Sequence, residues 1–253
     1  VAALAFVPVP GLPLVGPGED LAALVAAALR AAGLAPAGGE VIAVAQKIVS
    51  KAEGRLVDLR TVAPSPEAQA LAARADKDPR VAELILRESR RIVRVARGVI
   101  IAEHRTGTVL ANAGIDRSNV AGADSALLWP ADPDASARAL RAALAAAFGV
   151  PLGVLVTDSV GRAWRLGTVG HAIGAAGVTA VLDLRGRPDL FGRQLQVSEV
   201  AVADSLAAGA VLAMGEGAEG TPVVVIRGAP LATGAGDAGA GAVLRAPDAD
   251  LFR

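Results

Sequence analysis

Six aromatic side chains, four phenylalanines and two tryptophans with no tyrosine, are all that 253 residues offer for core building. Any core is therefore aliphatic. Hydrophobic residues make up 53% of the chain and charged ones 20%, which excludes a disordered polymer. The length suits one large domain or two interlocked lobes. The apolar runs are short. The longest, residues 21–29, stops at Arg30, well under the ~20 residues a membrane helix needs. The apolar opening segment is broken by Pro8, Pro10 and Pro13 and has no basic flank. Neither a membrane span nor a secretory leader is expected, and a cytoplasmic setting fits best.

Against so biased a background, rare residues are informative. Arginine outnumbers lysine 22 to 3, asparagine occurs twice and cysteine never. The missing cysteines exclude disulfides, thiolate metal sites, iron–sulfur clusters and a cysteine nucleophile together. Twenty-five basic residues balance twenty-five acidic ones, so no global field is available to hold nucleic acid or an anionic membrane.

Patterning and turn residues predict a mixed α/β chain without a clean βαβ repeat. Glu19 and Asp20 open a helix that ends at Gly33, and a strand follows over residues 41–45. Residues 46–54 turn polar and then reach a glycine, which places Lys47 and Lys51 near a strand end. Ser65-Pro66 and Asp78-Pro79 start two helices, the second running to about Arg91. Short strands are expected over residues 92–96, 99–103 and 108–111. Asp134 caps a helix that Gly149 ends, and residues 152–156 form a buried strand stopping at Thr157-Asp158-Ser159. After a strand near residues 178–182, a long helix from about Val197 to Met214 leads through a glycine-rich turn into a strand over residues 222–227. The glycine/alanine tract at residues 232–242 reads as a flexible linker or surface loop. The expected division is residues 1–230 as one functional unit and 231–253 as linker and tail.

Gly215-x-Gly217-x-x-Gly220 matches the dinucleotide-binding string, but the expected order around it is helix before and strand after, the reverse of what that fingerprint needs. A second match inside the glycine/alanine tract is compositional, and no P-loop string occurs. Both asparagines, Asn112 and Asn119, fall in one loop with Asp116. An Asx-turn that only satisfies backbone and a polar loop offering Asp116 to a hard cation both fit. Thr157-Asp158-Ser159 ends an apolar strand, where a magnesium-binding pair or a simple cap is equally expected. Arg162, Arg165, Arg185, Arg187 and Arg193 form either a solvated basic face or an anion pocket. His104 and His171 read as structural, and Ser50, Ser118 and Ser159 lack a nucleophile-elbow context.

Gly11-Leu12-Pro13-Leu14, Ile48-Val49-Ser50-Lys51-Ala52-Glu53-Gly54, Asn112-Ala113-Gly114-Ile115-Asp116-Arg117-Ser118-Asn119-Val120, Thr157-Asp158-Ser159-Val160-Gly161-Arg162 and Gly215-Glu216-Gly217 resemble, in that order, the coenzyme F420-0:L-glutamate ligase family. The resemblance implies a two-lobed α+β ligase fold, neither Rossmann nor P-loop, in an intertwined homodimer. It implies GTP-dependent addition of L-glutamate to coenzyme F420-0 through an acyl phosphate, with GDP and phosphate released, and growth of a γ-linked tail. Manganese or magnesium, and potassium, come with that activity. Carried over by position, Asp116 and Asp158 would hold one metal and Ser159 a second, with Glu216 a further ligand. Gly11, Leu12, Pro13, Leu14, Gln46, Lys51, Asn119, Met214, Gly215, Glu216 and Gly217 would contact the nucleotide, with Lys51 also neutralising phosphate charge. Gln46 stands where a serine or threonine is expected. The tail resembles a junction to a nitroreductase-like flavin domain found in some relatives. Another metal- and nucleotide-dependent amide ligase, or a non-catalytic nucleotide-binding module, stays open beside this reading.

Overall fold

The computed structural model describes residues 3–120, 122–229 and 238–250. Its strands begin with β1 (Ala5–Pro8), β2 (Val41–Ala45), β3 (Leu56–Asp58), β4 (Ser89–Ala96), β5 (Val99–His104) and β6 (Val109–Ala111). They continue with β7 (Ser125–Leu127), β8 (Gly153–Gly161), β9 (Thr168–Ala176), β10 (Val181–Asp183), β11 (Glu199–Ala201) and β12 (Val223–Arg227). The helices are α1 (Leu21–Ala31), α2 (Gln46–Ala52), α3 (Pro66–Ala75), α4 (Pro79–Glu88), α5 (Pro133–Phe148) and α6 (Val202–Met214).

A five-stranded sheet in the order β1-β12-β2-β8-β9 organises the molecule, with β2 and β8 as its parallel pair and every other pairing antiparallel. Strands β2 and β12 and residues 153–156 of β8 are near-continuous apolar runs because both faces are covered; β8 does not stop at Thr157-Asp158-Ser159 as expected but continues to Gly161, because its pairing with β9 outlasts its pairing with β2. Successive side chains point to opposite faces. Ile42, Val44, Val154, Val156, Val223 and Val225 therefore meet α1 and α5 on one side, while Val41, Ala43, Leu155, Val224 and Ile226 meet α6 on the other. The mixed α/β class expected from the sequence is present, and a single parallel pair is not a doubly wound sheet.

With so few aromatics, close approach replaces bulk. A Cβ on Gly174 would sit 2.2 Å from the Pro133 carbonyl oxygen at the start of α5, and one on Gly170 would sit 2.3 Å from the Ala207 oxygen in α6. The central part of the chain builds a separate core. Leu71, Ala72, Leu84 and Ile85 of α3 and α4 pack on Ile100 and Ala102 of the β4-β5-β6 sheet and on Ala126.

Several boundaries differ from expectation for identifiable reasons. Residues 46–52 form α2 directly off β2, so both lysines ride on a short helix; burial of Ile48 and Val49 on one side holds it. The second proline-started helix ends at Glu88, three residues early, because Ser89 already pairs with His104 across β4 and β5. The last long helix starts at Val202, since Glu199, Val200 and Ala201 pair with β10. Much of the glycine/alanine tract lies outside the described residues. At its C-terminal end Ala240 is buried in the α6-side core and donates its N–H to Asp134 Oδ1 at 2.7 Å, so that part is docked rather than a free linker.

Candidate active site

The parallel pair ends where chemistry can collect. Ala45 pairs with Thr157, and the next residues are Gln46 of α2 on one strand and Asp158-Ser159 on the other. Above these ends, α6 stops at Met214. Gly215, with φ +77°, turns the chain through residues 215–220 before β12. Thr221 Oγ1 donates to the Met214 carbonyl at 2.9 Å, and Ala45 N donates to Pro222 O at 2.8 Å, so both ends of this turn are pinned beside the strand ends. The result is a cleft of about 320 Å³ between the strand ends, α2, the asparagine loop and the glycine-rich turn.

Ten of the sequence-nominated residues line it: Leu14, Gln46, Lys51, Asn119, Asp158, Ser159, Met214, Gly215, Glu216 and Gly217. Gly11, Leu12 and Pro13 precede Leu14 but do not themselves line it. A relay of contacts closes one wall. Lys51 Nζ donates to the Asn119 carbonyl at 2.9 Å, and Asn119 Nδ2 donates to Gly217 O at 3.4 Å. Gln46 is buried, with Nε2 donating to Ser50 Oγ at 2.6 Å inside its own helix. The arginines between residues 162 and 193 do not line this cleft; Arg185 instead pairs with Asp183 at 2.6 Å and with Glu199 at 3.4 Å.

Asp116 stands at the cleft edge through Lys47, whose Nζ lies 2.7 Å from Asp116 Oδ2. Ser118 donates to the same carboxylate from its N–H at 2.6 Å and its hydroxyl at 3.0 Å. Burial pushes the Asp116 carboxyl up, but the Lys47 ammonium and the two Ser118 donors outweigh it and hold it below the ordinary carboxylate range. Asp158 is the opposite case. Burial dominates and raises its carboxyl to about 6, against the Trp129 indole N–H, the Lys47 charge and the Ser159 N–H; the Asp116 charge pushes the same way as burial. Lys51 is lowered by burial and by its like-charged neighbour Lys47.

Lys47 and Glu219 in the cleft wall, and Trp129 behind it, were given no site role by the sequence. Lys47 joins both aspartates electrostatically, and its signal was rarity, since it is one of three lysines. Trp129 is one of two tryptophans. It is fully buried and donates Nε1–H to Asp158 Oδ2 at 2.7 Å. Glu219 accepts the Gly217 N–H at 2.8 Å and lies over Gly215, where a Cβ would come within 2.3 Å of its carboxyl carbon. Thr157, buried and adjacent to Asp158, completes the floor.

Among the described residues no helix is long and apolar enough to cross a membrane. Residues 11–228 match the model of the family described as F420-0:Gamma-glutamyl ligase. The chain is 45% identical over 252 residues to the coenzyme F420:L-glutamate ligase of Methanothermobacter thermautotrophicus, covering 99% of each chain. It is 49% identical over 248 residues to that of Methanopyrus kandleri, covering 97% of this chain and 96% of the relative. With Methanocaldococcus jannaschii the identity is 43% over 215 residues, 85% of each. Several ordered motifs meet in one cleft and identity runs almost end to end, and on that ground the chain belongs to the F420-0:gamma-glutamyl ligase family.

Proposed function

We propose that this chain ligates L-glutamate to coenzyme F420-0 and extends the tail by further γ-linked glutamates, using GTP and releasing GDP and phosphate. The supporting observation is the convergence of the Asp116 loop, Asp158 of β8 just past its parallel pairing with β2, Lys51 and the 215–220 turn on one cleft, in a chain whose relatives are named for this activity.

A carboxylate does not accept an amine directly, so the γ-phosphoryl group passes first to an oxygen of the acceptor carboxylate and GDP leaves. The glutamate nitrogen then attacks the acyl carbon, phosphate departs, and the nitrogen gives up a proton. No protein nucleophile is required. Lys51 neutralises phosphate charge, and the backbone of the glycine-rich turn lets the phosphate chain approach closely.

The residues present suit divalent magnesium or manganese. Among the described residues no group of three or more His, Asp or Glu side chains gathers around one point. Such ions need only one or two carboxylates when phosphates and water complete their shell. Asp116 and Asp158 would hold one ion and Ser159 a second, with Glu216 in reach of the cleft as a further ligand. When bound, the ions supply positive charge that neutralises and aligns the phosphate chain. Asp158, partly buried with a raised carboxyl, is a group that gains from such charge.

The homodimer belongs to the same proposal. Trp164 and Leu166 in the turn between β8 and β9, and Leu190 and Phe191 in the loop between β10 and β11, are 87–99% exposed, more apolar surface than a lone subunit ordinarily leaves in water. The ligase unit in this reading is residues 1–230 in two interlocked lobes, working in the cytoplasm.

The test incubates the protein with GTP, L-glutamate, Mn²⁺ and F420-0, with and without K⁺, and reads product mass. The expected result is addition of one or more glutamyl residues matched by GDP, with ¹⁸O from the acceptor carboxylate appearing in the released phosphate. GTP consumption with a different amide product would favour another ligase reaction. Metal-dependent GTP binding without any turnover would favour a binding module.

A further inference from the structure

Trp129 is wholly buried, yet its one polar atom points at the cleft, with Nε1–H donating to Asp158 Oδ2 at 2.7 Å. The other Asp158 oxygen accepts the Ser159 N–H at 2.9 Å, so both are fixed. Two residues before Trp129, the backbone grips the second aspartate: Asp116 N donates to Leu127 O at 3.0 Å and Leu127 N returns to Asp116 O at 2.8 Å. The stretch 127–129 therefore touches both carboxylate-bearing segments.

The indole is also wedged in place. A Cβ on Gly114, two residues before Asp116, would lie 2.5 Å from the indole Nε1 and Cε2, so the Asp116 loop packs flush on the ring. On another side the His104 ring lies 5.0 Å away, centroid to centroid, at 58°. Behind it, Arg55 Nε donates to the Trp129 carbonyl at 2.8 Å while the same guanidinium pairs with Glu88 at 2.9 Å. His104 Nδ1 takes the Thr106 N–H at 3.1 Å, which turns its Nε2 toward Glu88 at 3.6 Å. A core needing only bulk would use an aliphatic residue, which carries no N–H to satisfy.

We infer that Trp129 is a positioning residue for the ligation: its indole N–H holds Asp158 and its ring seats the Asp116 loop, so one side chain sets the spacing of the two carboxylates. The inference rests on the reading that these carboxylates serve the metal–nucleotide site. Outer partners of this kind orient ligands, and their loss typically costs about 10–100-fold in metal affinity or activity.

The ¹⁵N-labelled protein has two indole N–H resonances, from Trp129 and from Trp164, which is 89% exposed. Asp158→Asn should shift the Trp129 resonance and leave that of Trp164 in place. Trp129→Phe keeps a ring but removes the N–H; it should weaken Mn²⁺ binding, read from the free-ion electron paramagnetic resonance signal, by roughly tenfold or more. It should lower kcat with the KM for glutamate within about twofold of the parent. An unmoved Trp129 resonance in Asp158→Asn overturns the inference, and so does a folded Trp129→Phe that binds Mn²⁺ and turns over like the parent. A parent protein that binds no Mn²⁺ would instead defeat the metal reading, and the indole resonance would still decide whether Trp129 holds Asp158. The same resonance decides if Trp129→Phe does not fold.

Discussion

Asp116 and Asp158 carry the same carboxyl into different surroundings, one compensated by Lys47 and Ser118, the other with an indole N–H as its principal donor. Replacing either by alanine should lower ligation by on the order of 10²–10³-fold or more, while the melting transition stays cooperative. Normal turnover in either purified variant would sink the assignment. Lys47→Met should also lower kcat/KM, because Asp116 then loses its nearest positive charge; comparing initial rates with those of Lys51→Met separates the two lysines, the latter acting mainly through nucleotide KM. At this scale the sequence was informative about identity and silent about adjacency. Asp116 stood out in the asparagine-bearing loop and Asp158 at the expected end of an apolar strand, but nothing local says that Trp129, 29 residues before Asp158, would meet it. Rarity could have flagged Trp129 and Lys47; their contacts arise only when β2 and β8 lie side by side.

Helices and strands obey the same division between local and distant causes. Caps and punctuation were largely legible: Asp20, Ser65 and Asp78 each accept a backbone N–H at the start of a helix, and Gly149 ends one with φ +70°, but the cap of α5 is Asp132 rather than the expected Asp134, whose carboxylate accepts from Ala175 N and Ala240 N instead. α2 was not, since its β-branched Ile48 and Val49 favour a strand and only packing makes it a helix. Two predictions belong here. Gly174→Ala places a methyl against the Pro133 backbone between β9 and α5 and should destabilise by about 2–3 kcal/mol in thermal melts. At the junction of α4 with β4, burial pushes the Glu88 carboxyl up, but His104, Arg55 and Arg105 outweigh it and hold it below its ordinary 4.5. A depressed acid stabilises the fold fully above its unfolded pKa, and the contribution is lost as pH falls through the folded value. Glu88→Gln should therefore cost about 3 kcal/mol near neutral pH. The gap between its melting temperature and the parent's should close progressively below about pH 4.5. A gap that stays constant down to that range and beyond would show that Glu88 acts by shape rather than charge.

For the molecule as a whole, the unbroken apolar run at residues 152–156 marked a buried strand, whereas strand order was not readable, because no local signal says which edges meet. The exposed apolar side chains of the β8–β9 turn and the β10–β11 loop carry the assembly prediction. Phe191→Asp should shift sedimentation from dimer to monomer, and a parent that sediments as a monomer at micromolar concentration would overturn the dimer. The placement of β12 between β1 and β2 has a further consequence for synthesis. A ribosome releases β1 and β2 long before their common neighbour, so both wait with open hydrogen-bonding edges until residue 227 emerges. Such late, long-range closure slows folding and exposes sheet edges to other chains. A nascent or truncated product ending before β12 would be a substrate for chaperones and proteases rather than a smaller working enzyme.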